Sequence, residues 1–462
     1  MQWTMTASSC APRLRPPPSG WGRGREGVLK GGGACQWRSN TIVLRGTLGT
    51  RLVPQGGVVS ERATDASTTA GSSGSASDAR SPLERFRTKP KKPLSVTDLV
   101  SPAWCELQYF YALSKFGRKP RTAAMKTGSR IHQALEEQVH KIVPVQVQSK
   151  EDRFGLRIWN TIQGLRTLRE TGLTRELDVW GVVNGEVVNG VIDEVSYTCH
   201  DPEFKERVEG RKAEKSKDTV GPGQLRLDEV FSRVGKSEQM SAWLRAPTPA
   251  RDVYISDVKT RGVRSVPAGA SLRPTWMQLM LYRKLLESLS SNTVDAETVL
   301  ERYSLSPLKT FTEVFMFEIG RLSAVGDGET VLGDEAPHNA LQGSEVESHP
   351  NLLSLWSLMI TEFQHSITSI NDILRAEFRY SKTGDVIGSA LTVYDTKSIE
   401  EYLGSEMQWW KGEREAKGVA IEEAFKCRVC DFAEECSWRK NKIEEATEKH
   451  RLRARSRGKS AV

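Results

Sequence analysis

Apolar positions fall at helical spacing in Trp104, Leu107, Phe110, Tyr111 and Leu113, behind Ser101-Pro102, which supplies an N-cap and a pre-set first helical residue. A second helix is predicted from about Thr127 to Ile142. Ile131, Leu135 and Val139 form its apolar stripe, and His132 and Glu136 stand one turn apart on an adjacent face. Over Leu177–Tyr197 the pattern turns to β, and Asn184-Gly185, a preferred type I′ turn pair, predicts two strands folded back on one another. Residues from about 199 to 250 are polar, carry Gly221-Pro222-Gly223 and read as an insertion. Val253–Lys259 resumes as a strand, Arg261–Arg273 is a loop and Pro274–Leu289 a helix. Beyond these, Thr310–Ile319 is expected as a strand, about 324–350 as a loop, Asn351–Phe378 as one long helix, Val386–Tyr394 as a strand and Tyr402–Ala416 as a helix. Strands interleaved with helices predict a mixed α/β architecture, a central mixed sheet flanked by helices, with no internal repeat.

Length adds that 462 residues exceed one ordinary core, so a large elaborated domain with tails is expected. Hydrophobic content of 38% and twelve Trp exclude a wholly disordered chain. No apolar run approaches the roughly 20 residues that cross a bilayer, so no membrane association is expected. The net charge of +8 is concentrated at the ends: residues 1–60 hold eight Lys/Arg against Glu26 alone, and Arg451–Lys459 adds five more. The body is therefore near neutral, and any nucleic-acid surface must be a local groove. Arg-rich, acid-poor residues 1–94 read as an organelle transit segment and linker, with mitochondria favoured and the nucleus as the alternative. The domain is expected over 95–445 and a basic tail over 446–462.

Candidate chemistry begins with Asp257 and Lys259, two apart on a predicted strand and so on one face, and with Asp193 near the end of an earlier strand. Two carboxylates offer hard oxygen ligands to Mg²⁺, and a lysine beside them suits phosphodiester hydrolysis. Arg261, Arg264 and Arg273 are expected to flank that site as phosphate contacts. Trp409-Trp410, a tempting stacking pair for bases, reads better as core. Of seven cysteines, Cys427-x2-Cys430-x5-Cys436 groups three thiols on one turn, and Cys105 is available as a fourth. Four thiolates suit zinc or an iron–sulfur cluster, and spacing leaves the two open.

Together, Cys105, Gly128-x3-His132-x3-Glu136, Gly190-Val-Ile-Asp193, Asp257-Val-Lys259, Gln278-x3-Tyr282 and the closing cysteines stand in the order found in the exonuclease V family. From about Ser95 to Trp438 the chain resembles these RecB-like members of the PD-(D/E)xK nucleases. The resemblance implies Mg²⁺ on Asp193 and Asp257, Lys259 as catalytic lysine, and a [4Fe-4S] cluster on Cys105, Cys427, Cys430 and Cys436. It further implies His132 as a metal ligand with Glu136 beside it, and Gln278 and Tyr282 facing the site. Asp257 stands where many relatives carry Glu. The implied activity is exonucleolytic cleavage of single-stranded DNA by a monomer, with a single-strand-binding protein as candidate partner. A related nuclease acting on flapped or RNA-containing DNA, a non-catalytic cluster-bearing nucleic-acid binder and a zinc-stapled scaffold are the alternatives.

Overall fold

The computed structural model describes residues 42–48, 78, 80–118, 120–218, 251–326 and 345–459. Among the described residues eight strands are formed: β1 Ile42–Leu48, β2 Leu94–Ser95, β3 Lys141–Val147, β4 Leu173–Val183, β5 Glu186–Ser196, β6 Asp252–Arg261, β7 Ser369–Tyr380 and β8 Val386–Val393. The helices are α1 Pro82–Phe86, α2 Val96–Val100, α3 Glu106–Phe116, α4 Ala123–Glu136, α5 Lys150–Thr171 and α6 Pro202–Asp218. They continue with α7 Arg273–Ser290, α8 Ala296–Arg302, α9 Glu313–Gly326, α10 Leu352–Ser366, α11 Thr396–Trp410 and α12 Ser437–Lys459.

Asn184 and Gly185 both adopt positive φ, the backbone of a type I′ turn, so β4 and β5 pair antiparallel as their sequence predicts. One edge of β5 is lined by β4. Its other edge is shared, with β2 parallel at Val188 and Asn189 and β6 antiparallel at Glu194–Ser196. Between those two pairings β5 and β6 part, and the gap contains Asp193. The sheet continues through β7, parallel to β6, to β8, antiparallel to β7, which makes it mixed as expected. Helices α5 and α7 pack against it and α10 packs on both; Trp180 of β4 lies 5.6 Å from the Phe154 ring of α5 and 5.8 Å from the Trp356 ring of α10.

Several elements differ from the sequence reading. Thr310–Ile319 enters a helix, not a strand, because Phe311, Phe315 and Ile319, four apart, are the residues that bury. The long helix expected over Asn351–Phe378 stops at Ser366, and Leu374, Ala376 and Phe378 then bury at period two as the central strand β7. Order begins before Ser95: β1 pairs with β3, and α1 is capped by Ser81. The helix expected from Ser101 is a 3₁₀ turn, Ser101–Ala103, after which α3 restarts with Cys105 at its N-cap. The expected second helix ends at Glu136, where β3 soon follows, and the one over Tyr402–Ala416 runs from Thr396 to Trp410. The insertion carries helix α6; its remainder, residues 219–250, and residues 327–344 of the expected loop lie outside the described residues. Among the described residues no helix is long and apolar enough to cross a membrane.

Candidate active site and cysteine cluster

The turn at Asn184-Gly185 sets the register of the hairpin. Arg175 pairs with Glu194 and Leu177 with Ile192, so Glu176 stands opposite Asp193. Sequence reasoning missed Glu176, although counting back from the turn would have reached it. Glu176 adopts φ 52°, and its Oε1 lies 3.2 Å from His132 Nδ1. That ring nitrogen is also 3.5 Å from Asp193 Oδ1. Donor atoms of His132, Glu176 and Asp193 all fall within 4.8 Å of one another, a set able to hold a metal ion.

Asp193 and Asp257, far apart in the chain, meet where β5 and β6 diverge: the Val258 backbone N–H donates to Asp193 Oδ2 at 2.7 Å. Burial, and then the negative charge of Asp257, push the Asp193 carboxyl up to about 7. Asp257 is 1% exposed. Its Oδ1 accepts from Lys259 Nζ at 3.0 Å, while Oδ2, 2.8 Å from the same ammonium but off the hydrogen-bond direction, is buried without a donor. An acidic cluster with an orphaned carboxylate oxygen fits a divalent cation, since a cation relieves both the repulsion and the missing partner.

Lys259 also donates to Gln278 Oε1 at 2.8 Å, and Gln278 Nε2 donates to the Tyr282 hydroxyl at 3.1 Å. Burial favours a neutral amine at Lys259, but the charges of Asp257 and Asp193 outweigh it and raise the pKa. Burial, then Asp193 and Asp257, hold the Tyr282 phenol well above its ordinary range, so it stays protonated. Burial would likewise lower His132, yet the Glu176 hydrogen bond and the nearby carboxylates raise it. Gly190 makes the approach possible, because a Cβ there would lie 2.7 Å from both the Tyr282 ring and Val96.

Glu136 sits behind Glu176, its pKa raised by burial and by that neighbour's charge and lowered by Arg45. Arg261 ends β6 two residues beyond Lys259, hence on the same face by alternation. Arg264 is exposed, 3.4 Å from Asp385 and over the Tyr380 ring. Arg273 does not join this group; it lines a separate cavity with Tyr402 and Glu406. Trp409 and Trp410 are fully buried in the core and meet the Tyr109 ring edge-on, so neither is a platform for bases.

Cys105, Cys427, Cys430 and Cys436 line one small cavity together with Trp104, Tyr111, Val419 and Trp438. All four are free thiols. Burial pushes the Cys105 thiol up to about 11 and raises that of Cys430. Lys426, buried, donates to the Trp104 carbonyl at 2.9 Å and pairs with Glu423 at 2.6 Å, so the segment bearing three cysteines is tied to the turn that precedes the fourth. Gly418 closes the wall; a Cβ there would lie 2.2 Å from the Trp438 ring. Four thiols lining one apolar cavity fit a sulfur-ligated metal group, since ligation would relieve the burial of their ionised form.

Residues 81–439 match the family described as exonuclease V, a 5′ deoxyribonuclease. Exonuclease V of Danio rerio is 26% identical over 79% of this chain and 74% of its own length. The mitochondrial exonuclease V of Candida glabrata is 25% identical over 77% of this chain and 81% of its own. That of Eremothecium gossypii is 23% identical over 76% and 77%. With the family matched across the hairpin, the acidic gap and the cysteine cavity alike, the chain belongs to the exonuclease V family and is a DNA exonuclease.

Proposed function

We propose that this exonuclease cleaves single-stranded DNA in mitochondria, with Mg²⁺ held by Asp193 and Asp257 alongside His132 and Glu176, and with a [4Fe-4S] cluster held by Cys105, Cys427, Cys430 and Cys436. The observation that carries the catalytic reading is the meeting of Asp193, Glu176 and His132 beside an Asp257 bonded to Lys259. Mg²⁺, when bound, supplies charge neutralisation at the phosphate and a more acidic water. The chain's own residues do the rest. Lys259 has three ammonium donors, of which Asp257 and Gln278 take two. The third orients the attacking water or a phosphate oxygen. Tyr282 fixes the Gln278 amide by accepting from Nε2, which turns Oε1 toward the lysine. Arg261, on the same strand face, receives the phosphate backbone. The fungal relatives named mitochondrial support the organelle. The cysteine cluster serves as a staple, and its apolar walls, Trp104 and Trp438 among them, suit an iron–sulfur group.

The test is cleavage of matched single-stranded, duplex and flapped substrates with and without Mg²⁺. Asp257→Ala is expected to lose at least a thousandfold in rate while still binding DNA, as removal of a metal ligand and lysine partner implies, on the order of 4 kcal/mol in the barrier. Cleavage unchanged by Asp257→Ala would instead favour a nucleic-acid binder, and a preference for flaps would replace the single-strand reading.

A further inference from the structure

Strand β1, Ile42–Leu48, lies ahead of the residues that match the family, in a stretch whose composition reads as transit segment. Yet it is docked in detail. It pairs in parallel with β3 along its whole length, from Ile42 against Lys141 to Leu48 against Val147. Leu44 is 4% exposed and belongs to the main core. The Asn160 side chain of α5 grips the Leu44 backbone from both sides, accepting from its N–H at 2.9 Å and donating to its carbonyl at 2.8 Å. At Gly46 even a Cβ would press on Val147 and Leu156 at 3.2 Å.

This docking fixes where Arg45 goes. Its neighbour in the strand, Leu44, points inward, so Arg45 points out, and its side chain is 57% exposed. Nη2 lies 3.9 Å from Glu136 Oε2, and Arg45 lines one cavity with Glu136 and Glu176. Glu176 belongs to the donor set with His132 and Asp193. Four carboxylates, Glu136, Glu176, Asp193 and Asp257, thus crowd a place where a polyanion must approach, and an exposed cation at the rim offsets their repulsion.

We propose that β1 is a working part of the nuclease and that Arg45 is a phosphate contact for the DNA strand at the rim of the carboxylate cluster. The inference rests on that cluster being the catalytic centre. Lys259 then addresses the strand from the floor of the site and Arg45 from its edge, with the bidentate guanidinium suited to a phosphate oxygen pair.

The experiment uses the full chain carrying Arg45→Gln, Leu44→Asp or Asp257→Ala, assayed on single-stranded DNA across a salt series. Arg45→Gln should raise KM about fivefold with kcat within about twofold, and flatten the log-affinity against log-salt slope by about 0.7, as loss of one phosphate contact requires. Its Tm should be unchanged, since the side chain is exposed. Leu44→Asp, which undocks the strand, should reproduce the KM change. An unchanged KM and slope for Arg45→Gln, beside an inactive Asp257→Ala, overturns this proposal alone. A fall in kcat only, reversed by Glu136→Gln, makes Arg45 a partner of Glu136 and also overturns it. Retained cleavage by Asp257→Ala takes down the catalytic reading and this proposal with it.

Discussion

Glu406 shows what burial does to a carboxyl whose cations are engaged elsewhere. It is 6% exposed, its Oε2 has no donor, and Arg414, the cation that acts on it most, is committed to Glu106 through two bonds of 2.6 and 2.8 Å. Burial, then the Glu106 charge, push Glu406 up to about 8. Below the ordinary carboxylate range both folded and unfolded chains hold the proton, and the group costs nothing. As pH rises toward 8 the unfolded chain ionises first, so the folded state loses stability, by at most about 1.4 kcal/mol per pH unit, and the loss levels off above the folded value. Glu406→Gln should abolish this component: between about pH 5 and pH 8 its Tm should fall less than that of the unsubstituted protein. An identical pH profile would show that Glu406 is ionised in the fold. Nothing in the sequence marks Glu406, since burial comes from the packing of α11. Glu176 was within reach, because the Asn184-Gly185 turn fixes a register that any residue of the hairpin must obey.

Among the elements, the hairpin and α7 were legible, because turn chemistry and a long amphipathic period are local signals. Strand β7 was not. Its apolar residues follow directly on those of α10, and a continuous apolar run carries no mark of where the period changes from 3.6 to two. The neighbourhood of β5 and β6, which brings Asp193 to Val258, is a long-range pairing and equally silent in the chain. Where β5 meets α7 the fit is close enough to test. Gly190→Ala would drive a Cβ against the Tyr282 ring and Val96, both firmly packed. Overpacking of this kind costs about 1–3 kcal/mol. Thermal melts should show that loss, and the displaced Tyr282 should loosen Gln278 and Lys259, so kcat should fall more than KM rises. A variant of normal stability and normal kcat would mean that the helix yields without cost.

At the scale of the whole molecule, the N-terminal turn at Cys105 and the C-terminal segment 427–436 share one cavity across almost the entire domain. Three of these cysteines could be grouped from spacing, whereas Cys105 was available only as a remaining thiol and was assigned to the group by the family resemblance, because nothing local ties position 105 to 427. If the cavity holds an iron–sulfur cluster, protein purified without oxygen should be brown with about four iron atoms per chain, and Cys105→Ala should lose iron, colour and several degrees of Tm together. Colourless protein carrying zinc alone would reject that cluster. The same closure constrains how the molecule comes into being. A chain still on the ribosome, or still threading through a membrane pore, has no complete cavity to offer until Cys436 has emerged. If a cluster binds there, its loading must wait for Cys436, and a chain stopped short of that residue would be an unfinished nuclease rather than a smaller one.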